Sequence, residues 1–241
     1  MTYKPANGTD LKLMYGRGFR NPSSYDMYWA DGFTQIGNPS LRPETSDTYE
    51  FDIDQAFSRR LRASASVYHY RVNGFIEQVF TAGGLTQYVN GDRVRATGAS
   101  LELDCALPRA VRLSSSLAMQ RATFSSTHVL PNSPGQVAKL RFAIPLWRER
   151  FIITTGLQAL GQRQTYAGAT VPWVILPEAV VSAAHLAGGF EFSAGVRNLS
   201  NSFYRDPAGL TPTVDSVIGM GRSYFLNLTW HSSADKVARW D

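Results

Sequence analysis

The residues able to do covalent or metal chemistry in this chain are few and scattered. Its histidines are His69, His128, His185 and His231, and no His-Glu-x-x-His spacing or other ligand cluster joins them. A Gly-x-Ser-x-Gly nucleophile turn does not occur. Gly16 with Gly18, and Gly219 with Gly221, supply half of a dinucleotide fingerprint and lack the helix that would receive a pyrophosphate. The single cysteine, Cys105, precludes an internal disulfide and falls on an apolar face, where it reads as a small hydrophobe. These residues call for no catalytic group, no cofactor and no metal, so an enzyme is not expected.

Contact chemistry is concentrated instead. Phe19, Tyr25, Tyr28, Trp29 and Phe33 interleave with Arg20, Asp26, Asp31 and Gln35. Rigid aromatic area with a few placed polar groups is how small molecules are held. Arg20, Tyr25, Tyr28, Trp29, Phe33 and Gln35 are therefore the candidate ligand-contacting set. The alternative is that these rings pack within their own segment or form an aromatic belt at a membrane surface.

The elements that position this set follow a sorted rhythm. About ten strand-like stretches run from Leu11 to His231, and their connections alternate between short and long. Short ones are Ser58 to Arg60, Leu107 to Ala110, Leu146 to Arg150 and Ala187 to Gly189. Long ones are roughly Phe19 to Glu44, Asn73 to Thr86, Ser125 to Gly135, Gln162 to Pro172 and Ser200 to Gly221. A soluble β-sandwich mixes loop lengths between its two ends, whereas an outer-membrane barrel sorts tight turns to one side and long loops to the other.

Periodicity points the same way. Tyr49, Phe51 and Ile53 share one face of a strand whose other face carries Glu50, Asp52 and Asp54. A Lys or Arg facing lipid at the bilayer midplane costs about 2–4 kcal/mol and an acid somewhat less, so the carboxylate face is the lumen. The phase recurs in Leu101 and Leu103 against Glu102 and Asp104, in Leu140, Phe142 and Ile144 against Lys139 and Arg141, in Phe190, Phe192 and Val196 against Glu191 and Arg197, and in Tyr224, Leu226, Leu228 and Trp230 against Ser223, Asn227 and Thr229. The stretches Leu61 to Arg71 and Val174 to Leu186 are weakest, with His69 and His185 on the lipid side, and both fit near the membrane surfaces. The lumenal set Glu50, Asp52, Asp54, Glu102, Asp104, Lys139, Arg141 and Arg197 is expected to be ion-paired or simply solvated rather than in direct contact with a substrate. A water-soluble all-β domain with one core is the competing architecture.

Composition bounds the rest. The 241 residues are 44% hydrophobic and 12% aromatic, and no run of about 18 apolar residues exists to form a transmembrane helix. The net charge of +5 is spread over turns and loops without a basic run, so nucleic acid is not expected as a partner. Met1 to Arg20 has no apolar core of about 7–15 residues, as a secretory leader would. Ten strands left as an open sheet would expose unpaired edges in hydrocarbon. A fragment or a truncated gene product is therefore expected.

Particular residues then resemble a family. The stretch from Tyr15 to Ile53 is similar to a strand, loop and strand of TonB-dependent outer-membrane receptors: Phe19-Arg20-Asn21-Pro22 leaves one strand, and Asn38-Pro39-Ser40-Leu41-Arg42-Pro43-Glu44 enters the next. Gly195 to Pro207 resembles the family's Val-x-Asn-Leu segment, after which Gly221 and Arg222 open the last strand. The resemblance implies an all-β, antiparallel transmembrane barrel in the bacterial outer membrane, with this chain as the C-terminal ten strands of about 22 around a plug domain. Tyr3, Lys4 and Pro5 read as the end of a preceding strand, residues 1–231 as the barrel part and residues 232–241 as a tail beyond the terminal aromatic Trp230.

The implied function is uptake of a scarce small-molecule ligand such as a ferric siderophore or cobalamin. Membrane lipid and lipopolysaccharide surround the barrel, and the TonB complex acts through the plug, the TonB box and the upstream strands that this sequence lacks. The alternatives are a small passive pore, a structural barrel or a truncated product without function.

Overall fold

The computed structural model describes residues 1–124, 128–147, 150–184, 186–209 and 214–231. One antiparallel sheet dominates it, built from β1 (Thr2–Ala6), β2 (Thr9–Arg20), β3 (Glu44–Ser58), β4 (Leu61–Asn73), β5 (Val94–Ala106), β6 (Arg112–Phe124), β7 (Gln136–Leu146), β8 (Phe151–Leu160), β9 (Val174–Ala183), β10 (Phe190–Arg197) and β11 (Ser223–Trp230). Each strand pairs with its neighbours in sequence, and the short strand His128–Val129 adds to β6. The expected ten strands are present, and Tyr3 to Pro5 do belong to a strand before them. β1 and β11 are the two outermost strands and do not pair with each other, so the sheet is not closed.

Side-chain alternation assigns the two faces. Along β3, Tyr49, Phe51 and Ile53 are exposed while Glu50, Asp52 and Asp54 are half-buried on the opposite face. Register then carries the apolar face across the sheet: Leu13 lies beside Phe51, Phe51 beside Val67, Val67 beside Ala99 and Ala99 beside Met119. In a soluble domain this band would be the core. Here Leu13, Phe51, Val67, Leu101 and Leu117 are all exposed, as lipid-facing residues of a barrel are.

Aromatic rings mark both ends of the outward face. Toward the long loops Tyr15 packs on Tyr49, with ring centroids 5.1 Å apart. Toward the short turns Trp147 stacks on Phe151 at 5.8 Å, Phe151 meets Phe192 edge-on at 6.2 Å, and Trp230 donates its indole N–H to the Gly188 carbonyl at 3.0 Å. Rings at these two levels form the interfacial girdles of a spanning barrel. His69, as expected, lies on the outward face near the loop end of β4, where Nδ1 and the Thr97 hydroxyl are 2.8 Å apart. His185, Arg148, part of the connections after β6 and β10, and the 232–241 tail lie outside the described residues.

Two prolines inside strands explain their own tolerance. Pro145 pairs with Ile152, but β6 pairing has already stopped at Ala143 opposite Arg112. Pro177 pairs with Leu157, but β10 pairing begins only at Ala179 opposite Val196. In both cases the missing N–H falls where one neighbour has ended, so no ladder bond is lost on that side.

The lumenal face is polar and held by cross-strand pairs. Lys12 binds Asp54 at 2.8 Å and Arg62 approaches the same carboxylate at 3.6 Å. The Ser114 hydroxyl donates to Asp104 at 2.7 Å, and Arg141 lies 3.9 Å from Glu178. The Arg197 guanidinium sits 5.0 Å above the Phe225 ring. Gly98 is required where β5 passes Tyr68, because a Cβ there would stand 2.5 Å from the Tyr68 ring and 2.7 Å from the Met119 carbonyl oxygen. A recess of about 690 Å³ opens on this face, lined by Glu102, Lys139, Arg141, Glu178, Arg197 and Ser223 among others.

Candidate ligand-contact surface

The first long connection, between β2 and β3, is a folded unit. It begins with α1 (Ser24–Tyr28), a single turn started by a capping box: the Ser23 hydroxyl accepts the Asp26 N–H at 3.1 Å, and the Asp26 carboxylate accepts the Ser23 N–H at 3.0 Å. The turn sets Tyr25 and Trp29 one above the other, four residues apart, and their rings stack at 5.7 Å. Asp31 then closes the next bend, accepting the N–H groups of Phe33, Thr34 and Gln35 and the Thr34 hydroxyl. These bonds, the hydroxyl first, hold its carboxyl well below the usual carboxylate range.

The second long connection differs from the sequence expectation. The sequence pattern ends this loop at Thr86, yet Thr86–Asn90 pairs with Ile76–Phe80 as a hairpin of its own, and the barrel strand starts at Val94. Alternation in 86–90 is strand-like, but residues 91–93 intervene before the barrel ladder and separate two strands that the sequence runs together. Gln35–Ile36 of the first loop joins this hairpin as a parallel third strand beside Thr86 and Gln87. The two loops thus form one small sheet above the barrel.

Several of the predicted residues meet on it. Tyr25 packs edge-on against Tyr88 at 6.3 Å and points its hydroxyl toward the Gln35 Oε1 at 3.5 Å. Gln35 is 4% exposed; its Oε1 accepts the Gln78 amide at 3.2 Å, while its Nε2 is buried with no partner among the described residues. Arg20 ends β2 and pairs with Glu44 at 2.5 Å, close enough to Tyr88 to lower the phenol's proton affinity; burial first, then Asp26 and Tyr25, drive that affinity upward more strongly. Phe33 and Tyr28 are exposed at 87% and 64% and stand outside the ring stack. Tyr88 and Gln78 also belong to this sheet, and sequence alternation does not single them out, because the hairpin carrying them reads as a plain loop followed by a barrel strand.

The motif residues explain why the loops sit together. Arg20 and Glu44 are opposite each other in register, so the two motifs meet as the closing pair of the β2–β3 ladder. The second Glu44 oxygen accepts the Ile76 N–H at 2.9 Å. Asn38 donates to the Tyr88 carbonyl at 2.9 Å, and Leu41 is buried. Asn90 is a hub: it accepts the Arg42 N–H at 2.8 Å and donates to the carbonyls of Arg42 at 2.8 Å and Gly74 at 2.9 Å. At the other end Asn198, buried and at a φ of +50°, accepts the Ser202 N–H at 2.8 Å and donates to the Ser202 and Met220 carbonyls at 2.9 and 3.2 Å. Asn201 accepts the Arg222 N–H at 2.9 Å, tying the loop to the start of β11.

A strand-only sheet with an apolar outward face, a polar opposite face and folded loops at one end is the make-up of an outer-membrane β-barrel wall. The family model described as TonB dependent receptor-like, beta-barrel matches residues 1–218, and the chain belongs to that family. Solved structures agree on the fold. The copper transporter OprC superposes with a TM-score of 0.78 at 18% identity, covering 95% of this chain and 38% of that one. The siderophore receptor PirA from Acinetobacter baumannii gives 0.73 at 16%, covering 95% and 40%. The FrpB iron transporter from Neisseria meningitidis gives 0.72 at 12%, covering 94% and 37%. The chain therefore spans well under half the length of these relatives. No functionally curated protein matches it in sequence. The family places the protein in the bacterial outer membrane.

Proposed function

We propose that the chain is the C-terminal part of the barrel, residues 1–231, of a TonB-dependent uptake receptor, and that the sheet joining its first two long loops contacts a scarce small-molecule ligand. The observation carrying this reading is the Gln35 amide on the long-loop side, whose buried Nε2 has no partner among the described residues and whose Oε1 lies 3.5 Å from the hydroxyl of Tyr25, itself stacked on Trp29. Such a group is costly when buried unpaired, and a ligand oxygen would satisfy it. The named neighbours carry copper, iron and siderophore, which favours a metal-bearing ligand such as a ferric siderophore, with cobalamin as a further candidate. A plug domain, a TonB box and the remaining strands belong to the rest of such a receptor, and energy coupling runs through them.

The test is growth and uptake under iron limitation and under cobalamin limitation, comparing the intact gene, its deletion, and the gene carrying Tyr25→Ala with Trp29→Ala. The deletion is expected to lower uptake of one ligand class. The double variant is expected to weaken binding by about ten- to a hundredfold with barrel assembly unchanged, as loss of aromatic anchors worth about 1–3 kcal/mol does. Unchanged affinity in a correctly assembled variant refutes the loop assignment. A deletion without an uptake phenotype, joined by ion conductance of the purified protein in planar bilayers, favours a passive pore.

A further inference from the structure

The small sheet above the barrel has one edge without a neighbour. Its strand order is Gln35–Ile36, Thr86–Asn90, Ile76–Phe80, so the first loop fills one side and Ile76–Phe80 is outermost on the other. Hydrogen bonds at the two ends of the hairpin fix which way each residue of that outer strand faces. Gly91 donates to the Phe75 carbonyl at 2.7 Å, and Thr81 to the Leu85 carbonyl at 2.8 Å. Alternation between these bonds directs the backbone groups of Glu77 and Val79 toward Thr86–Asn90, and those of Ile76, Gln78 and Phe80 outward. The first loop is consistent with this phase, because it takes the Thr86 N–H at the Thr34 carbonyl, 2.8 Å, and its Asn38 donates to the Tyr88 carbonyl at 2.9 Å.

Glu44 accepts the Ile76 N–H at 2.9 Å and so closes this edge at its barrel end. Further out, the backbone groups of Gln78 and Phe80 have no partner among the described residues. Proline, lysine or a bulge commonly blunts such an edge, yet Ile76-Glu77-Gln78-Val79-Phe80 has neither residue, and its register with Thr86–Asn90 runs without a shift. The one charged side chain does not cover the edge: the Glu77 carboxylate lies over Gly91, where a Cβ would collide with it. Asp92 acts on that carboxylate as a like charge, and neither acid has a basic partner among the described residues. The Phe80 ring is exposed.

We infer that the outer edge of Ile76–Phe80 docks an extended, basic segment of a polypeptide outside the cell, which adds to the loop sheet as a further strand. The long loops set this sheet at the cell exterior. The outward groups of Gln78 and Phe80 are two residues apart, about 7 Å along the strand, a repeat that the backbone of another strand matches. Gln35–Ile36 already joins the opposite edge in this way. On an added strand, the residues opposite Glu77 and Val79 fall in non-hydrogen-bonded pairs, with Cα atoms about 4.5 Å apart and side chains closest. A lysine or arginine opposite Glu77 there complements the two unpaired acids, and an apolar residue opposite Phe80 covers its ring. Docking needs the sheet alone and holds whichever small molecule the receptor takes up.

The experiment titrates the full-length receptor in lipid nanodiscs with a fluorescent, end-capped peptide, Ile-Val-Thr-Lys-Thr, read by anisotropy, and follows hydrogen exchange over residues 76–80. Laid antiparallel, the peptide sets its isoleucine opposite Phe80 and its lysine opposite Glu77. Saturable binding that slows exchange in 76–80 is expected. N-methylation of the peptide's third residue, whose N–H faces the edge, should weaken binding about tenfold, while N-methylation of the second, whose N–H faces away, should change it by less than about twofold. Glutamate in place of the lysine should weaken it about fivefold. Phe80→Pro, which removes an outward N–H and none of the hairpin's own bonds, should weaken it about tenfold; the methylated peptides supply the same test on the unaltered receptor if this variant fails to assemble. Absence of binding, equal weakening by the two methylated peptides, equal affinity of the glutamate peptide, or unchanged exchange in 76–80 overturns the assignment.

Discussion

Leu101→Arg is the sharpest perturbation of the outward face. Leu101 lies near the middle of β5, beside Ala65 and Leu117 on the same face, and is 53% exposed in the sheet. If that exposure is to hydrocarbon, an arginine there costs about 2–4 kcal/mol at the midplane. That lowers the folding equilibrium constant between about thirtyfold and several hundredfold. Glu102→Arg, one residue along and facing the lumen beside Ser64 and Ser116, is the control and should change stability by less than about 1 kcal/mol. Urea unfolding of the full-length receptor in lipid vesicles measures both. If assembled Leu101→Arg matches Glu102→Arg within 1 kcal/mol, the outward face does not meet lipid and the membrane assignment fails. A water-filled surround would give that result.

Other residues give independent checks. Glu44→Ala should destabilise the loop sheet by about 1 kcal/mol more than Arg20→Ala, because it also strands the Ile76 N–H, and urea midpoints would show equality if that bond is irrelevant. Gly98→Ala should cost about 1–3 kcal/mol through its collision with the Tyr68 ring and the Met119 carbonyl, and a neutral effect on thermal stability would mean that β4, β5 and β6 separate at that point. Burial, then the nearby Asp92, raises the Glu77 carboxyl above its ordinary value. Its folded-state affinity for the proton therefore exceeds the unfolded one, so the 76–90 hairpin is firmest below about pH 4.5 and loosens as pH rises through the folded value; hydrogen exchange in Glu77→Gln should lose that dependence and be slower at neutral pH. Asp31 has the opposite sign, and its bend should loosen only as acid protonates it.

Much of the barrel was legible because lipid imposes a strict alternation. Tyr49, Phe51 and Ile53 against Glu50, Asp52 and Asp54 admit one orientation, and β3 has it. Two of the short turns fit their short length, since Arg109 and Ala110, like Gly188 and Gly189, take the left-handed backbone that tight reversals need. The hairpin of Ile76–Phe80 and Thr86–Asn90 was not legible, because its residues alternate much as barrel residues do and only tertiary pairing separates them. Among the contact set, Tyr25, Trp29 and Gln35 converge, while Phe33 and Tyr28 do not; a loop's composition names its aromatics but leaves their partners open. The role of Asn90 left no trace in sequence, since hydrogen bonding across 48 residues has no local pattern.

The two long loops cannot respond to a ligand separately. Asn90 is tied to Arg42 in the first loop and Gly74 in the second, Asn38 to Tyr88, the Gln87 amide to the Gly37 carbonyl at 3.0 Å, and Gln78 to Gln35. Parallel pairing of Gln35–Ile36 with Thr86–Gln87 adds a backbone link. A ligand that engages the Gln35 amide pulls on the hairpin, and the hairpin reaches the barrel rim at Glu44 through Ile76. Asn90→Ala removes three of these bonds at once, each worth about 0.5–1.5 kcal/mol. It should leave the barrel unfolding transition in place, since Asn90 lies outside the strands that form it, while hydrogen exchange accelerates in both loops together. Acceleration confined to residues 76–90 would show that the first loop stands without the second, and that the joint sheet is not one cooperative unit.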